Sequence, residues 1–359
     1  MIAPSLDIIG GHSILAERLL REFRNRPDLK VDFLPINPRL PGPLRGLQSI
    51  PYIRTIVTTG LYLLLLLGKI WRCDVLHIFA AAYSSFLLTP TPAILLARLI
   101  GKKIILNYHD GQAEDHLANW RTTLPILRLV DEIAVPSGFL VDVFAKFGFT
   151  ARCIYNIVDS DRFTFRERNP PQPVFLHNRG MEPLYNIPCT LKAFGLIQER
   201  YPEASLTLAH GGPLRGQLED MAQAMNLRNV RFIGIVSQKD SAAVYNASGI
   251  YLNSPNIDNM PLSLLECFAA GVPVVSSNVG GIPYILSDGK TGLLFEKDDH
   301  KGMAACVFRL LEEEGLALRL IRSARAECAK YTGKAIAARW IELYENVVYG
   351  VSRQEISAP

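Results

Sequence analysis

Short apolar runs alternate with amphipathic segments along the whole chain, and this alternation constrains the fold more than any other feature. Runs such as 74–79 and 103–108 are almost continuously apolar, which is typical of strands buried on both faces. Strands that alternate with helices predict parallel sheets covered by helices. A Pro-rich segment at 170–173 divides the pattern, so we predict two Rossmann-like α/β domains facing a central cleft.

Composition excludes several classes of protein. The 359 residues are 49% apolar and 20% charged, which favours large cores and argues against disorder. The net charge of +4 is mild, and no Lys/Arg-rich run indicates a nucleic-acid partner. The six cysteines are scattered without C-x-x-C spacing, so we expect free thiols in a reducing cytosol. The start lacks the basic and apolar regions of a signal peptide, and we expect a cytoplasmic protein.

One stretch near the N-terminus is both basic and apolar. Between Arg18 and Arg72 there are ten Lys/Arg and three Asp/Glu, a balance of +7. Its apolar segment, Ile53 to Leu67, is shorter than the ~20 residues that span a bilayer, and we predict a core helix of the first domain. The alternatives are a membrane-interface helix, which would bring the protein to the inner face of the membrane as a peripheral partner, and a true transmembrane span.

Residues 254–295 are the most informative for chemistry, and we predict a loop, a helix, a buried strand, a glycine turn, a second helix and a closing hairpin. Asp258 lies in the loop and Glu266 two turns into the first helix, on the face of Leu262. The helix opens at Asn259, Met260, Pro261 and Leu262, where free backbone N–H groups form an anion site. A sugar nucleotide would supply hydroxyls for the carboxylates and phosphates for the helix end.

The order and spacing of this stretch carry a resemblance to a known family. Asp258 and Glu266 are followed by the run 269–275 (AAGVPVV), by Gly280-Gly281-Ile282-Pro283 and by Gly289-Lys290-Thr291-Gly292. This pattern resembles the retaining glycosyltransferases of family 4, which have the GT-B fold. The first acid is Asp where the family usually has Glu, which shortens its reach to the sugar by one methylene.

The resemblance extends to both halves of the chain. In the first half it implies that Gly10 and Gly11 contact the donor phosphates or the acceptor, and that His109 reaches the transferred sugar. In the second half it implies that Arg179 meets the donor diphosphate and that the loop containing Gly234 and Val236 holds the base. The lysine that usually follows the arginine is absent, because Tyr185-Asn186 stands in its place.

The resemblance also implies the limits of the domains. Residues 1–165 would form an acceptor domain whose first strand begins upstream of Met1, and residues 172–332 a nucleotide-sugar-binding domain. Residues 333–359 would form a helix that returns to the first domain, followed by a tail.

The implied reaction is transfer of a sugar from a UDP- or GDP-sugar to a glycan, lipid-linked or small-molecule acceptor, with retention of configuration. No metal and no cofactor are expected. A sugar-nucleotide epimerase of the same fold and a non-catalytic relative, suggested by the missing lysine, remain alternatives. A dehydrogenase is disfavoured because no G-x-G-x-x-G follows a strand.

Overall fold

The computed structural model describes residues 1–7, 10–24, 26–40, 42–50 and 52–350. The chain divides into two compact units: unit 1 comprises Met1–Ile157 and Gly333–Pro359, and unit 2 comprises Val158–Thr332. The expected C-terminal tail falls on residues 351–359, which lie outside the described residues.

Unit 1 is built on a six-stranded sheet with the order β2-β1-β3-β4-β5-β6, in which every pairing is parallel. Its strands are β1 Ile2–Ala3, β2 Leu34–Pro35, β3 Val75–Ala80, β4 Lys103–Tyr108, β5 Glu132–Val135 and β6 Arg152–Cys153. Its helices are α1 Gly11–Phe23, α2 Ile53–Lys69, α3 Tyr83–Leu88, α4 Pro90–Leu99, α5 Ala113–Asn119, α6 Thr123–Leu127, α7 Gly138–Lys146 and, at the far end of the chain, α14 Gly333–Tyr349.

Unit 2 repeats this architecture with the order β12-β11-β10-β7-β8-β9, again parallel throughout. Its strands are β7 Val174–Asn178, β8 Ser205–Ala209, β9 Val230–Gly234, β10 Ile250–Asn253, β11 Val274–Ser277 and β12 Leu293–Phe295. Its helices are α8 Ile187–Arg200, α9 Arg215–Ala224, α10 Gln238–Asn246, α11 Leu262–Ala270, α12 His300–Glu312 and α13 Leu316–Cys328. The predicted pair of Rossmann-like α/β sheets is confirmed.

Helix α14 packs within unit 1, although unit 2 separates it from the rest of that unit in sequence. Trp340 and Leu343 of α14 share a buried cluster with Leu19 and Phe23 of α1 and with Ile105 of β4. The two ends of unit 2 lie side by side, because the Val158 N–H donates to the Tyr331 carbonyl at 2.8 Å.

Residues 162–172, where the sequence predicts a linker, are tied to unit 2. The Arg168 guanidinium donates to the carbonyls of Ser248, Ala270 and Gly271 at 2.7–2.9 Å, and the Arg166 N–H donates to Ala270. Carbonyls at the end of a helix are open acceptors, so an arginine in this segment satisfies the C-terminus of α11.

The apolar helix α2 differs from its prediction. We expected a core helix, but only Tyr62 and Leu66 of its residues are buried, and one face is open to solvent. By length and composition Ile53–Arg72 could cross a membrane. The core beneath it is already filled by α3, α4 and the sheet, so the helix contacts it along one narrow side.

Three local predictions were also wrong. The apolar run at 30–36 predicts a second strand and the Pro- and Gly-rich segment 37–51 predicts a loop, but the strand is limited to β2 and Gly42–Ser49 is a 3₁₀ helix. No hairpin closes the stretch that ends at Phe295, since β12 pairs parallel to β11. In the turn before β12, Thr291 Oγ1 accepts a hydrogen bond from the Ser287 N–H at 2.8 Å. The six cysteines are free, as expected.

Candidate functional site

Helix α11 presents one polar group on one partly exposed face. It begins after Pro261, whose extended backbone occupies the capping position, and it ends at Gly271 with a φ of 71°. All of its residues are buried except Leu262 and Glu266, which are partly exposed. These two residues are four apart and therefore share a face, as the sequence predicts.

Arg179 and Asp258 form an ion pair at the carboxyl edge of the unit 2 sheet. Arg179 follows β7 and Asp258 follows β10, and these two strands are neighbours. The second carboxylate oxygen of Asp258 accepts from the Asn259 N–H at 2.8 Å. The Arg179 guanidinium also stacks over the Tyr185 ring, with its carbon 4.3 Å from the ring centre. The residue that replaces the expected lysine thus contacts the arginine directly.

The pair is largely shielded from water, with side chains only 15% and 12% exposed. Burial raises the pKa of Asp258, while the Arg179 charge and the Asn259 N–H oppose that rise. Burial also acts to lower the pKa of Arg179, but Asp258 and neighbouring tyrosines outweigh it and the pKa rises, so the guanidinium stays cationic. Within the described residues, the buried Arg179 Nε has no hydrogen-bond partner.

Glycines bring the neighbouring loops against this pair. The Gly281 N–H, after β11, donates to the Asp258 carbonyl at 2.9 Å. A Cβ at Gly280 would lie 2.2 Å from the Asp258 oxygen, and one at Gly281 would lie 2.0 Å from the Asn259 oxygen. A Cβ at Gly212 would lie 2.5 Å from the Met181 oxygen. Only glycine permits these approaches, so the turn residues hold the loop that carries Asp258.

The predicted base-binding residues lie at the same edge of the sheet. Gly234 ends β9 with a φ of 74°, and its carbonyl accepts from the His210 N–H at 2.6 Å. Val236 is partly exposed in the loop that follows. Ser237 then caps α10 by accepting from the Asp240 N–H. Asn259 and Met260, at the opening of α11, are buried.

Two buried tyrosines, Tyr245 and Tyr251, lie near Arg179 and were not predicted as site residues from the sequence. Tyr245 of α10 accepts at its hydroxyl from the Asn178 side chain at 3.1 Å, and Tyr251 of β10 donates to the Asn178 carbonyl. Burial raises the pKa of Tyr245, and the nearby charge of Glu266 adds to the rise. No local motif marks either tyrosine, because each lies in an ordinary helix or strand.

A second group of predicted residues lies in unit 1. His109 follows β4, its ring stacks on Phe79 at 5.3 Å, and its centre is 5.2 Å from that of His12. Burial lowers the pKa of His109 well below its usual range, with His12 and His77 adding to the effect, so its ring is neutral. Gly10 caps α1 and Gly11 is its first residue, with open space where either Cβ would lie.

The structure therefore gathers the predicted site residues into two sets. Unit 2 brings Arg179, Asp258, Glu266 and the opening of α11 to one sheet edge. Unit 1 brings His109 next to the start of α1 through His12. The described residues contain no group of three or more His, Cys, Asp or Glu side chains that could hold a metal ion.

Comparison with known proteins agrees with this architecture. Residues 160–327 match the family model of the glycosyl transferases group 1. Glycogen synthase of Mycobacterium tuberculosis is 26% identical over 277 residues, which cover 71% of this chain and 64% of that protein. Phosphatidyl-myo-inositol mannosyltransferase of Mycolicibacterium smegmatis is 28% identical over 46% of this chain and 43% of its own length. The chain thus spans less than two thirds of these relatives.

Solved structures show the same fold across nearly the whole chain. Sucrose-phosphate synthase from Thermosynechococcus elongatus superimposes with a TM-score of 0.76 at 19% identity, covering 95% of this chain and 94% of that one. Anabaena HepE in complex with UDP-glucose has a TM-score of 0.74 at 14% identity, covering 96% and 98%. The fold class is GT-B. Residues 160–327 thus match the glycosyl transferases group 1, and the two parallel sheets agree with that match.

Proposed function

We propose that this protein transfers a sugar from a UDP- or GDP-sugar to a glycan, lipid-linked or small-molecule acceptor, with retention of configuration and without a metal or cofactor. The match of residues 160–327 to the glycosyl transferases group 1 supports the reaction class. Relatives named for glycogen and for phosphatidyl-myo-inositol support a glycan or lipid-linked acceptor.

The environment of Arg179 is the observation that carries the proposal. Arg179 is a buried cation at the carboxyl end of β7, and its Nε has no hydrogen-bond partner in the described part of the chain. Negative charge builds on the leaving nucleoside diphosphate as the sugar departs. A guanidinium that is already desolvated stabilises that charge strongly, and the N–H groups at the start of α11 add to it.

The remaining residues have distinct roles in this proposal. Glu266, on the partly exposed face of α11, accepts hydrogen bonds from the ribose hydroxyls of the nucleotide. Asp258 holds Arg179 in place and has lone pairs left for a sugar hydroxyl. His109 is neutral and can donate to or accept from the sugar without adding charge.

Replacing Glu266 by Ala tests the assignment. Calorimetric titration with a panel of UDP- and GDP-sugars should show binding by the wild type. A donor-hydrolysis assay then measures turnover. Loss of hydrogen bonds to a charged acceptor should weaken binding by Glu266→Ala about 10- to 100-fold. Glu199→Ala, at an exposed position of α8, removes the same groups elsewhere and should bind like the wild type.

Two outcomes would contradict the proposal. If no sugar nucleotide binds the wild type, the protein is a non-catalytic relative, as the tyrosine in place of lysine suggests. If Glu266→Ala and Glu199→Ala turn over donor equally, the site is assigned to the wrong residues. Product analysis separates transfer from epimerisation, since an epimerase converts the donor without an acceptor.

A further inference from the structure

Helix α2 and the 3₁₀ turn that continues it, Ile70–Arg72, carry a continuous apolar stripe on their outer side. The residues of the α2 stripe recur at spacings of three or four, and all are exposed: Ile53, Ile56, Gly60, Leu64, Leu67 and Trp71. Ile56, Leu64 and Trp71 are 73%, 68% and 64% exposed. Single exposed apolar residues are ordinary, but a row about 28 Å long indicates a surface that is covered in use.

The opposite side of α2 is fixed to unit 1. Tyr62, Leu66 and Ile70 are buried in the core, at the same helical spacing. The Tyr62 hydroxyl donates to the Thr89 carbonyl at 3.1 Å, and Lys69 Nζ donates to the Phe33 carbonyl at 2.9 Å. A helix held in this way presents its stripe outward. Crossing a bilayer would require it to give up these contacts.

The charges around the α2 stripe are positive. Residues 42–103 contain seven Lys/Arg and one acid, Asp74, a balance of +6. Arg54 and Arg72 are exposed near the two ends of the stripe, and Lys102 Nζ lies 3.4 Å from the Trp71 carbonyl. Apolar residues flanked by basic ones match the boundary between acyl chains and anionic headgroups.

We propose that the α2 stripe docks unit 1 on an anionic lipid bilayer, with the helix lying in the plane of the interface. The stripe inserts among the acyl chains, Trp71 lies at headgroup depth, and Arg54, Arg72 and Lys102 contact lipid phosphates. A second copy of this chain is a poorer occupant, because it would bring two positive surfaces together. The inference does not depend on the proposed sugar transfer.

Vesicle sedimentation of the full chain tests this surface. We expect the wild type to pellet with phosphatidylglycerol–phosphatidylcholine vesicles, to bind phosphatidylcholine vesicles less, and to lose binding as salt screens the charges. Trp71 fluorescence should shift to the blue on binding. Washing with high salt or carbonate should release the protein, as it does for a peripheral contact.

Two pairs of variants separate the apolar and electrostatic contributions. Ile56→Gln with Leu64→Gln keeps helix propensity and should lower the partition coefficient at least about tenfold. Arg54→Gln with Arg72→Gln should remove most of the preference for anionic vesicles. The matched control is Val348→Gln with Tyr349→Gln, at exposed apolar positions of α14, which should bind like the wild type. Circular dichroism and thermal melts confirm that each variant is folded.

Three results would overturn the proposal. The first is that the wild type does not bind anionic vesicles, or that the Ile56/Leu64 variant binds them as well as the wild type. The second is that only detergent releases the protein, which would indicate a membrane span. The third is a concentration-dependent dimer that the Ile56/Leu64 variant abolishes, which would assign the stripe to a second copy. Sugar-nucleotide titration tests the proposed sugar transfer separately from lipid docking, so a negative result for one hypothesis does not contradict the other.

Discussion

Arg179 is held by two unlike contacts, an ion pair with Asp258 and the face of Tyr185. Removing charges from water is costly, so a buried pair is stable only while both partners are present. The tyrosine adds a cation–π contact at the position where the family resemblance implies a lysine. In the proposed donor site, the Arg179 guanidinium is therefore oriented from two sides.

Replacing Asp258 by Asn should destabilise the protein by about 3 kcal/mol, because it leaves the Arg179 charge buried without its counter-ion. Urea denaturation measures the change. Glu219→Gln breaks the exposed Arg215–Glu219 pair, with side chains 43% and 44% exposed, and should cost less than about 1 kcal/mol. Equal costs for the two variants would show that Asp258 does not support Arg179.

At the level of elements, the site depends on the loops that follow β7, β10 and β11. These strands are neighbours in a parallel sheet, so their carboxyl ends deliver three loops to one edge. The loops hold one another by backbone contacts, of which the Gly281–Asp258 hydrogen bond is an example. Residues 280–281 thus position Asp258 through its backbone carbonyl.

Gly281→Ala should displace the loop at Asn259 and cost about 2 kcal/mol of stability, since its Cβ would meet a backbone oxygen at 2.0 Å. The affinity for sugar nucleotides should fall together with the stability. Gly216→Ala in α9 places a Cβ in open space and should be neutral or stabilising. Urea denaturation and calorimetry on both variants check this, and unchanged affinity in Gly281→Ala would separate the loop from the site.

Across the whole molecule, each unit encloses a neutral histidine. In unit 1, His116 hydrogen-bonds Tyr108 at 2.9 Å and Thr123 at 3.1 Å, and burial lowers its pKa to about 4. In unit 2, burial and the charge of Arg179 lower the pKa of His177 to about 3. Both cores therefore favour uncharged rings and resist protonation.

Acid should destabilise the protein through these groups. A histidine whose folded pKa is depressed stabilises the fold above its unfolded pKa, and that contribution is lost as pH falls through the folded pKa. For His116 the window runs from about 6.5 down to about 4, and the loss is about 3 kcal/mol. Urea denaturation across this window should show a smaller decline for His116→Gln. Parallel curves for that variant and the wild type would contradict the assignment.

His300→Gln is the matched control for this pH dependence. His300 is partly exposed at the start of α12, so its replacement should leave the decline as steep as in the wild type. A flatter decline in this control would assign the effect to histidines in general.

Much of the fold was predictable from local pattern. The apolar runs at 74–79 and 103–108 lie in strands because mostly apolar runs suit a sheet covered on both faces. Glu266 was predictable as the polar residue of α11, because helical periodicity alone places it beside Leu262. The exposure of helix α2 was not predictable, since its composition fits a core helix and an interfacial helix equally well.

The amino-acid sequence by itself determined the two parallel sheets, the helix that carries Glu266 and the loop that carries Asp258, because these depend on periodicity and turn chemistry within short segments. Tertiary structure alone decided that Tyr185 stacks on Arg179, that α14 packs on α1 and that one face of α2 faces solvent. The α14–α1 contact joins residues far apart in the chain, the Tyr185–Arg179 contact depends on how the loop after β7 folds, and α2 is divided between core and water. Such outcomes depend on which surfaces the rest of the folded chain covers.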